Sequence, residues 1–239
     1  MPHTLGLIGG GMIGGAVARL AVAAGMDVVL SNSRGPETLA DLVAELGGRA
    51  RAATPAEAAD AADLVVAAVP LKAYEQLSAT ELAGRTVIDA MVHHPQRDGS
   101  IPAIDSGELT SSSLVQRHLA DSRVVKTFAT IDFHHLVALA RPAGAPDRSA
   151  LPVAGDHAGA KAEVVAFLDA LGYDAVDIGG LADSGALGPG SPAYVQPYMG
   201  ERPEGLSQEE ARRWFFASPG VPVPAARVKE LVEAGRATA

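Results

Sequence analysis

The 239-residue chain carries a formal net charge of −9, is 48% apolar and contains no cysteine. Its length and apolar content supply a sizeable core and exclude a disordered chain, while the acidic balance argues against nucleic acid or an anionic membrane surface as partner. Without cysteine there are no disulfides, no thiolate metal site and no cysteine nucleophile. The richest apolar runs, 17–30 and 64–71, are broken by glycine, charge or proline, so no membrane span is expected. No basic signal region precedes the first apolar run, and the expected location is cytoplasmic.

The chain opens with a short strand containing Leu5, Leu7 and Ile8, which runs into Gly9-Gly10-Gly11-Met12-Ile13-Gly14. This fits G-x-G-x-x-G, and residues 13–24 then place Ile13, Val17, Leu20, Ala21 and Ala24 on one helical face. Gly9 lets the strand turn sharply, Gly11 lets a pyrophosphate approach the backbone, and Gly14 lets the helix pack closely on the strand. The helix start at Met12 and Ile13 offers unpaired N–H groups and a positive dipole end to that pyrophosphate. Strand before and helix after make this a dinucleotide site.

A second strand over 27–30 ends in Ser31-Asn32-Ser33-Arg34, about twenty residues past the glycines, where NAD-preferring proteins carry an acid. Here the first acid is Glu37. The amide of Asn32, the hydroxyl of Ser33 and the planar donor fork of Arg34 suit a 2′-phosphate, so NADP(H) is the expected cofactor. Asn32 or Ser33 can also cap a helix over 38–46. A third strand over 49–53 and a helix over 55–62 follow. The fourth strand, 64–69, is a continuous apolar run that stops at Pro70, and its end brings Val69, Pro70 and Leu71 to the cofactor. A helix over 71–77 leads to a fifth strand over 86–90, which delivers Ala90 and Met91 to the same edge.

The connection from Met91 to Thr110 is long, about twenty residues, and such loops are often functional. It holds His93 and His94, candidates for a proton donor or substrate contact; no third ligand lies at metal spacing nearby, and no metal site is expected. A helix over 111–119 and a strand over 123–126 lead to Thr127-Phe128-Ala129-Thr130-Ile131. Strand, helix and strand follow at 150–154, 158–171 and 173–178. Two prolines and a glycine in 141–148 mark a lobe boundary, giving divisions 1–140 and 141–239. The Pro- and Gly-rich stretch 188–205 reads as surface chain, followed by helices over 208–216 and 225–234. Trp214, Phe215 and Phe216 read as core packing or a dimer contact, and a homodimer is expected.

Seven stretches, in this order and spacing, carry a resemblance: G-L-I-G-G-G-M-I-G-G, S-N-S-R, V-V-A-A-V-P-L, V-I-D-A, V-V-K-T-F-A-T-I, L-P-V-A-G-D and D-I-G-G-L-A-D-S. To about Ser184 the chain resembles the NADPH-dependent coenzyme F420 reductases, or F420-dependent NADP oxidoreductases. The resemblance implies an α/β fold, a doubly wound, mostly parallel Rossmann sheet with a small C-terminal lobe, and direct hydride exchange between NADPH and the deazaflavin coenzyme F420. It implies that Ser33 and Arg34 hold the 2′-phosphate, that Pro70 and Met91 border the nicotinamide, and that Ala129, Thr130 and Ile131 border the deazaflavin. Where this chain has Ala129 the family has a polar His or Asn. Arg97, Arg141 and Arg148 are candidates for the deazaflavin's acidic tail. A short-chain carbonyl reductase would need Tyr-x-x-x-Lys, which none of Tyr74, Tyr173, Tyr194 or Tyr198 provides. Two other readings stay open: an NADPH-dependent reductase of an imine, carbonyl or flavin with His93 or His94 as proton donor, and a non-catalytic NADP(H) sensor.

Overall fold

Short segments of three to six residues, most of them rich in Val, Leu or Ile, alternate with helices along nearly the whole chain, and buried on both faces such segments form a largely parallel sheet. In the computed structural model, which describes residues 3–237, the first half runs β1 (Thr4–Ile8), α1 (Met12–Ala23), β2 (Asp27–Ser31), α2 (Ala40–Leu46), β3 (Ala50–Ala52), α3 (Pro55–Ala61), β4 (Leu64–Ala67), α4 (Ala79–Leu82) and β5 (Thr86–Asp89). Then come α5 (Pro95–Asp98), α6 (Pro102–Asp105), α7 (Ser111–His118), β6 (Arg123–Lys126), α8 (Phe133–Ala138), β7 (Ala150–Gly155), α9 (Ala158–Leu171) and β8 (Asp174–Asp177). Three helices close the chain: α10 (Gln196–Met199), α11 (Gln208–Ala217) and α12 (Ala225–Arg236).

The eight strands form one sheet in the order β3-β2-β1-β4-β5-β6-β7-β8. All neighbours are parallel except β6 and β7, which meet antiparallel through Val125–Gly155 and Lys126–Ala154. The two strands that follow the 141–148 segment therefore extend the same sheet. Residue alternation divides the core in two: Leu64, Val66 and Ile88 pack with α1 and α9, while Val65, Ala67 and Val87 pack against Leu71, Leu82 and Val115 on the other face. The order reverses between β1 and β4, so their carboxyl ends open a crevice at the switch point. Among the described residues no helix is long and apolar enough to cross a membrane.

Several local expectations change. The helix expected over 38–46 begins as a 3-10 turn, Pro36–Leu39, capped at Gly35 (φ +99°) with no side-chain cap, so neither Asn32 nor Ser33 caps it. Residues 71–77 form a 3-10 stretch, Leu71–Gln76. The connection after Met91 contains the single-turn helices α5 and α6, each starting on a proline whose fixed φ suits the first helical position. The stretch 188–205 is not simply surface chain. Tyr198 is buried with its hydroxyl donating to the Ala150 carbonyl at 2.6 Å, and Ala193 is buried beside it. Phe215 and Phe216 pack on Phe133 and His134 with ring centroids 5.4–6.2 Å apart, leaving Phe216 half exposed.

Candidate functional site

The glycine turn is built by close approach. Gly9 has φ +114°, and a Cβ there would lie 2.4 Å from the Ala68 carbonyl oxygen. A Cβ on Gly14 would lie 1.9 Å from the Gly9 carbonyl oxygen, so α1 packs on the end of β1 with no room for a methyl. Gly9 and Gly10 both donate to the Ser31 carbonyl, at 2.9 and 3.1 Å, tying the turn to the end of β2. Gly11 differs: a Cβ there would meet nothing within 4 Å, and as N-cap of α1 it brings no side chain to the helix's first N–H groups. Those donors face open space, the condition for an anion at a helix start.

Beyond β2, the Asn32 side chain accepts from the Arg34 N–H at 2.9 Å and donates to the Thr38 hydroxyl at 2.7 Å, which fixes the turn. Ser33 and Arg34 are exposed, and the Arg34 guanidinium enters no ion pair among the described residues. A narrow cavity of about 130 Å³ runs from Asn32 and Ser33 past Pro55 to Val69, Pro70, Ala73 and Leu77. Its Pro55, Ala73 and Leu77 walls were not anticipated from sequence: Pro55 follows β3 closely, but Ala73 and Leu77 lie within and after the 3-10 stretch that follows β4, where no local signal marks them.

The main cleft, about 380 Å³, continues from the glycine turn across the switch point. Gly11, Met12, Ile13, Val69, Pro70, Ala90 and Met91 line the side of the glycine turn, and Phe128, Ala129, Ile131, Phe133, Tyr194 and Val195 line the other. Leu71 and Thr130 do not line it; both are fully buried beneath the surface. Phe128 (φ +62°) and Val195 (φ +51°) hold a left-handed conformation that non-glycine residues seldom adopt, and the Val195 N–H donates to the Thr130 carbonyl at 2.9 Å. The two histidines part company: His94 lines the cleft, whereas His93 faces a separate cavity and its Nε2 lies 3.1 Å from the Gly99 carbonyl.

Of the three candidate arginines only Arg97 reaches the cleft. Arg148 is buried, paired with Asp169 and Asp174, and Arg141 is paired with Asp147 while donating to the Ala138 and Ala140 carbonyls. Beneath Met91 lies a cluster the sequence reading missed. Asp89, fully buried, accepts from the Met91 N–H at 2.8 Å and the Ser112 hydroxyl at 2.7 Å. It also pairs with buried Lys126 at 3.3 Å, and Lys126 in turn donates to the Met91 carbonyl. The signal was present in the sequence: an acid and a lysine each ending a strand directly after two apolar residues. Among the described residues no three His, Asp or Glu side chains converge as a metal site.

The family model for NADP oxidoreductase, coenzyme F420-dependent, matches residues 4–93. A hypothetical protein of Sinorhizobium meliloti, SMa0349, is 30% identical over 82% of this chain and 94% of its own, with a TM-score of 0.70. A protein of Arthrobacter sp. FB24 assigned as an F420-dependent NADP-reductase is 26% identical over 77% of this chain and 87% of its own, with a TM-score of 0.64. Over residues 4–93 the chain matches the coenzyme F420-dependent NADP oxidoreductase family. No curated protein matches it. A reductive aminase of Aspergillus terreus, in complex with NADPH and ethyl-5-oxohexanoate, shares the fold at 18% identity and a TM-score of 0.55, covering 75% of this chain and 56% of its own. The protein is thus an NADP-dependent oxidoreductase with a doubly wound sheet.

In this oxidoreductase the loop after β5 is held by Asp98. Desolvation raises its pKa, but hydrogen bonds from Arg97 and from the His94 N–H, with the charge of Arg97, outweigh it and hold the carboxyl at about 2. A depressed pKa stabilises the folded loop above the ordinary carboxylate range and loses that contribution as pH falls through the folded value. Amide protection factors in 93–98, taken against the intrinsic rate at each pH, are therefore expected to stay constant from pH 7 to about 4 and to fall toward pH 2. In Asp98→Asn protection should already be reduced at pH 7.

Proposed function

We propose that this NADP-dependent oxidoreductase exchanges hydride directly between NADPH and the deazaflavin of coenzyme F420. The observation that carries the reading is the continuity of the main cleft: cofactor-side residues and an apolar wall face each other across one space of about 380 Å³. The nicotinamide supplies a hydride when bound. Gly11, Met12 and Ile13 would hold the pyrophosphate on the open N–H groups of α1, and Asn32, Ser33 and Arg34 the 2′-phosphate. Val69, Pro70, Ala90 and Met91 would border the nicotinamide, with Ala129 and Ile131 on the acceptor side. Leu71 and Thr130 would act from beneath, as packing. Near-attack placement of both rings in this cleft then supplies much of the rate. The matching family model and the Arthrobacter relative support this acceptor.

The test mixes purified protein with NADPH and oxidised F420 and follows loss of deazaflavin absorbance, with NADH alongside. Turnover with NADPH and little with NADH supports the reading. NADPH binding without turnover rejects the F420 acceptor and leaves another small acceptor or a sensor role. Arg34→Ala should weaken NADPH by about ten- to a hundredfold, as expected for loss of one charge-assisted contact of about 1.5–3 kcal/mol. NADH binding should be unchanged, which a parallel fluorescence titration reads directly.

A second reading is favoured by one polar feature of the same cleft. The Tyr194 hydroxyl lies 3.2 Å from His94 Nε2, so an acceptor that takes up a proton as well as hydride also fits.

A further inference from the structure

We propose that Tyr194 is the proton donor of this cleft, with His94 as its relay to water, and that the acceptor reduced here gains a proton on nitrogen or oxygen along with the hydride. The inference rests on the hydride-transfer reading above and adds the identity of the donor.

Tyr194 comes from the stretch that sequence reading placed on the surface, yet it lines the cleft opposite Gly11 and Met91. Three features put it there. Tyr198 anchors the following turn in the core, Val195 takes a left-handed φ, and the Val195 N–H is fastened to the Thr130 carbonyl. Strain retained beside a cleft, where the surrounding structure over-determines it, is a mark of a placed functional group. The ring packs edge-on against His94, centroids 6.2 Å apart, and its hydroxyl meets Nε2.

The charged surroundings favour donation. Burial raises the Tyr194 pKa against the opposing charge of Arg97, so the phenol is protonated at neutral pH. Burial, with Arg97 and His93, lowers that of His94 against the pull of Asp98. Asp132 also lines the cleft, but its carboxylate is engaged by the His135 ring at 2.6 Å and by the N–H groups of His134 and His135. Among the described residues that line the cleft, no other carboxyl stands as a donor.

The step balances without a further reactant. Hydride from the nicotinamide forms a C–H bond at the acceptor carbon, and the electron pair of the C=N, C=O or conjugated C=C–C=N system moves to its heteroatom. The Tyr194 O–H bond breaks as that heteroatom takes the proton. The Nε2 proton of His94 passes to the Tyr194 oxygen, and Nδ1 takes one from water. The sum is NADPH plus a proton plus acceptor giving NADP⁺ plus reduced acceptor. A deazaflavin, hydride at C5 and proton at N1, obeys the same sum.

The experiment compares wild type, Tyr194→Phe and His94→Asn with two probes, oxidised F420 and the cyclic imine 2-methyl-1-pyrroline. It measures kcat and KM between pH 5 and 10, NADPH affinity, and the His94 ring nitrogens by NMR without cofactor. Tyr194→Phe is expected to lower kcat by about a hundredfold or more, the usual contribution of a positioned acid, with NADPH affinity unchanged. Its rate should fall steadily with rising pH as solvent becomes the donor, whereas wild type should hold through neutral pH. The His94 Nε2 resonance should shift in Tyr194→Phe, showing that the pair exists apart from turnover. Reduction of either probe with kcat within about threefold of wild type, and the same pH profile, in Tyr194→Phe overturns the inference alone. Reduction of the imine but not F420 rejects the F420 acceptor and leaves Tyr194 to be judged on the imine. Reduction of neither overturns both.

Discussion

Gly14→Ala is expected to lose both stability and cofactor binding, because the new methyl would sit 1.9 Å from the Gly9 carbonyl oxygen. Neither partner can yield cheaply. The carbonyl belongs to a turn fastened at Gly9 and Gly10 to the Ser31 carbonyl, and Gly14 sits in the first turns of α1, whose Val17, Ala18 and Ala21 are buried in the core. Overpacking of this kind costs about 1–3 kcal/mol and moves backbone. Displacement of the turn by about 1 Å should reduce turnover by about a hundredfold through lost alignment. Gly11→Ala is the control: its methyl meets nothing within 4 Å, so its unfolding free energy in urea should match wild type within about 0.5 kcal/mol. NADPH affinity should nevertheless fall, since the methyl occupies the approach to the helix start. Urea denaturation and NADPH fluorescence titration of both variants separate the two glycines. Equal stability loss in both would contradict the close-packing assignment of Gly14.

Lys126→Met should be the most destabilising single change beneath the cleft. It leaves the Asp89 carboxylate fully buried with only the Ser112 hydroxyl and the Met91 N–H for partners. Breaking one side of a buried ion pair costs about 3–5 kcal/mol, far more than the pair's net contribution. The double variant Asp89→Leu/Lys126→Met removes both charges and should recover most of the loss, because replacing a buried pair with apolar side chains is often neutral. It should not recover NADPH affinity, since both backbone clamps on Met91 are gone. Denaturant midpoints for the three proteins, with NADPH affinity alongside, read stability and positioning separately. A single variant as stable as wild type would show that the cluster plays no part in holding Met91.

The dinucleotide half of the molecule was readable because its function rests on short-range rules. Gly9, Gly11 and Gly14 have separate steric tasks that a spacing of two and three residues encodes, and the S-N-S-R turn follows from its place after β2. Buried parallel strands also announce themselves as continuous apolar runs, as in Leu64–Ala67. The acceptor half was hidden for the opposite reason. Tyr194 lies 100 residues from His94 in the chain, and its stretch has neither helical nor strand periodicity. Nothing local distinguished Tyr198, which is a core residue, from the exposed Phe216 that sequence grouped with packing aromatics. Leu71 was expected at the site from its place after the fourth strand and Thr130 from the family resemblance, but a change of one residue in position turns a side chain to the other face. Arg141 and Arg148 were counted as free bases, and only their partners, Asp147, Asp169 and Asp174, reveal them as structural.

The strap between Gly188 and Gly205 adds Tyr194 and Val195 to the cleft wall that faces the glycine turn while belonging to no strand of the sheet, held at Val195 by Thr130 and at Tyr198 by Ala150. Cofactor recognition is written into the sheet's edge, where almost any insertion disturbs packing. In the proposed function, part of acceptor recognition falls to a loop with two pegs, where length and side chains can drift as long as the pegs survive. The two specificities are therefore free to evolve at different speeds. A lineage with this architecture can change what it reduces while continuing to draw on the same nicotinamide pool.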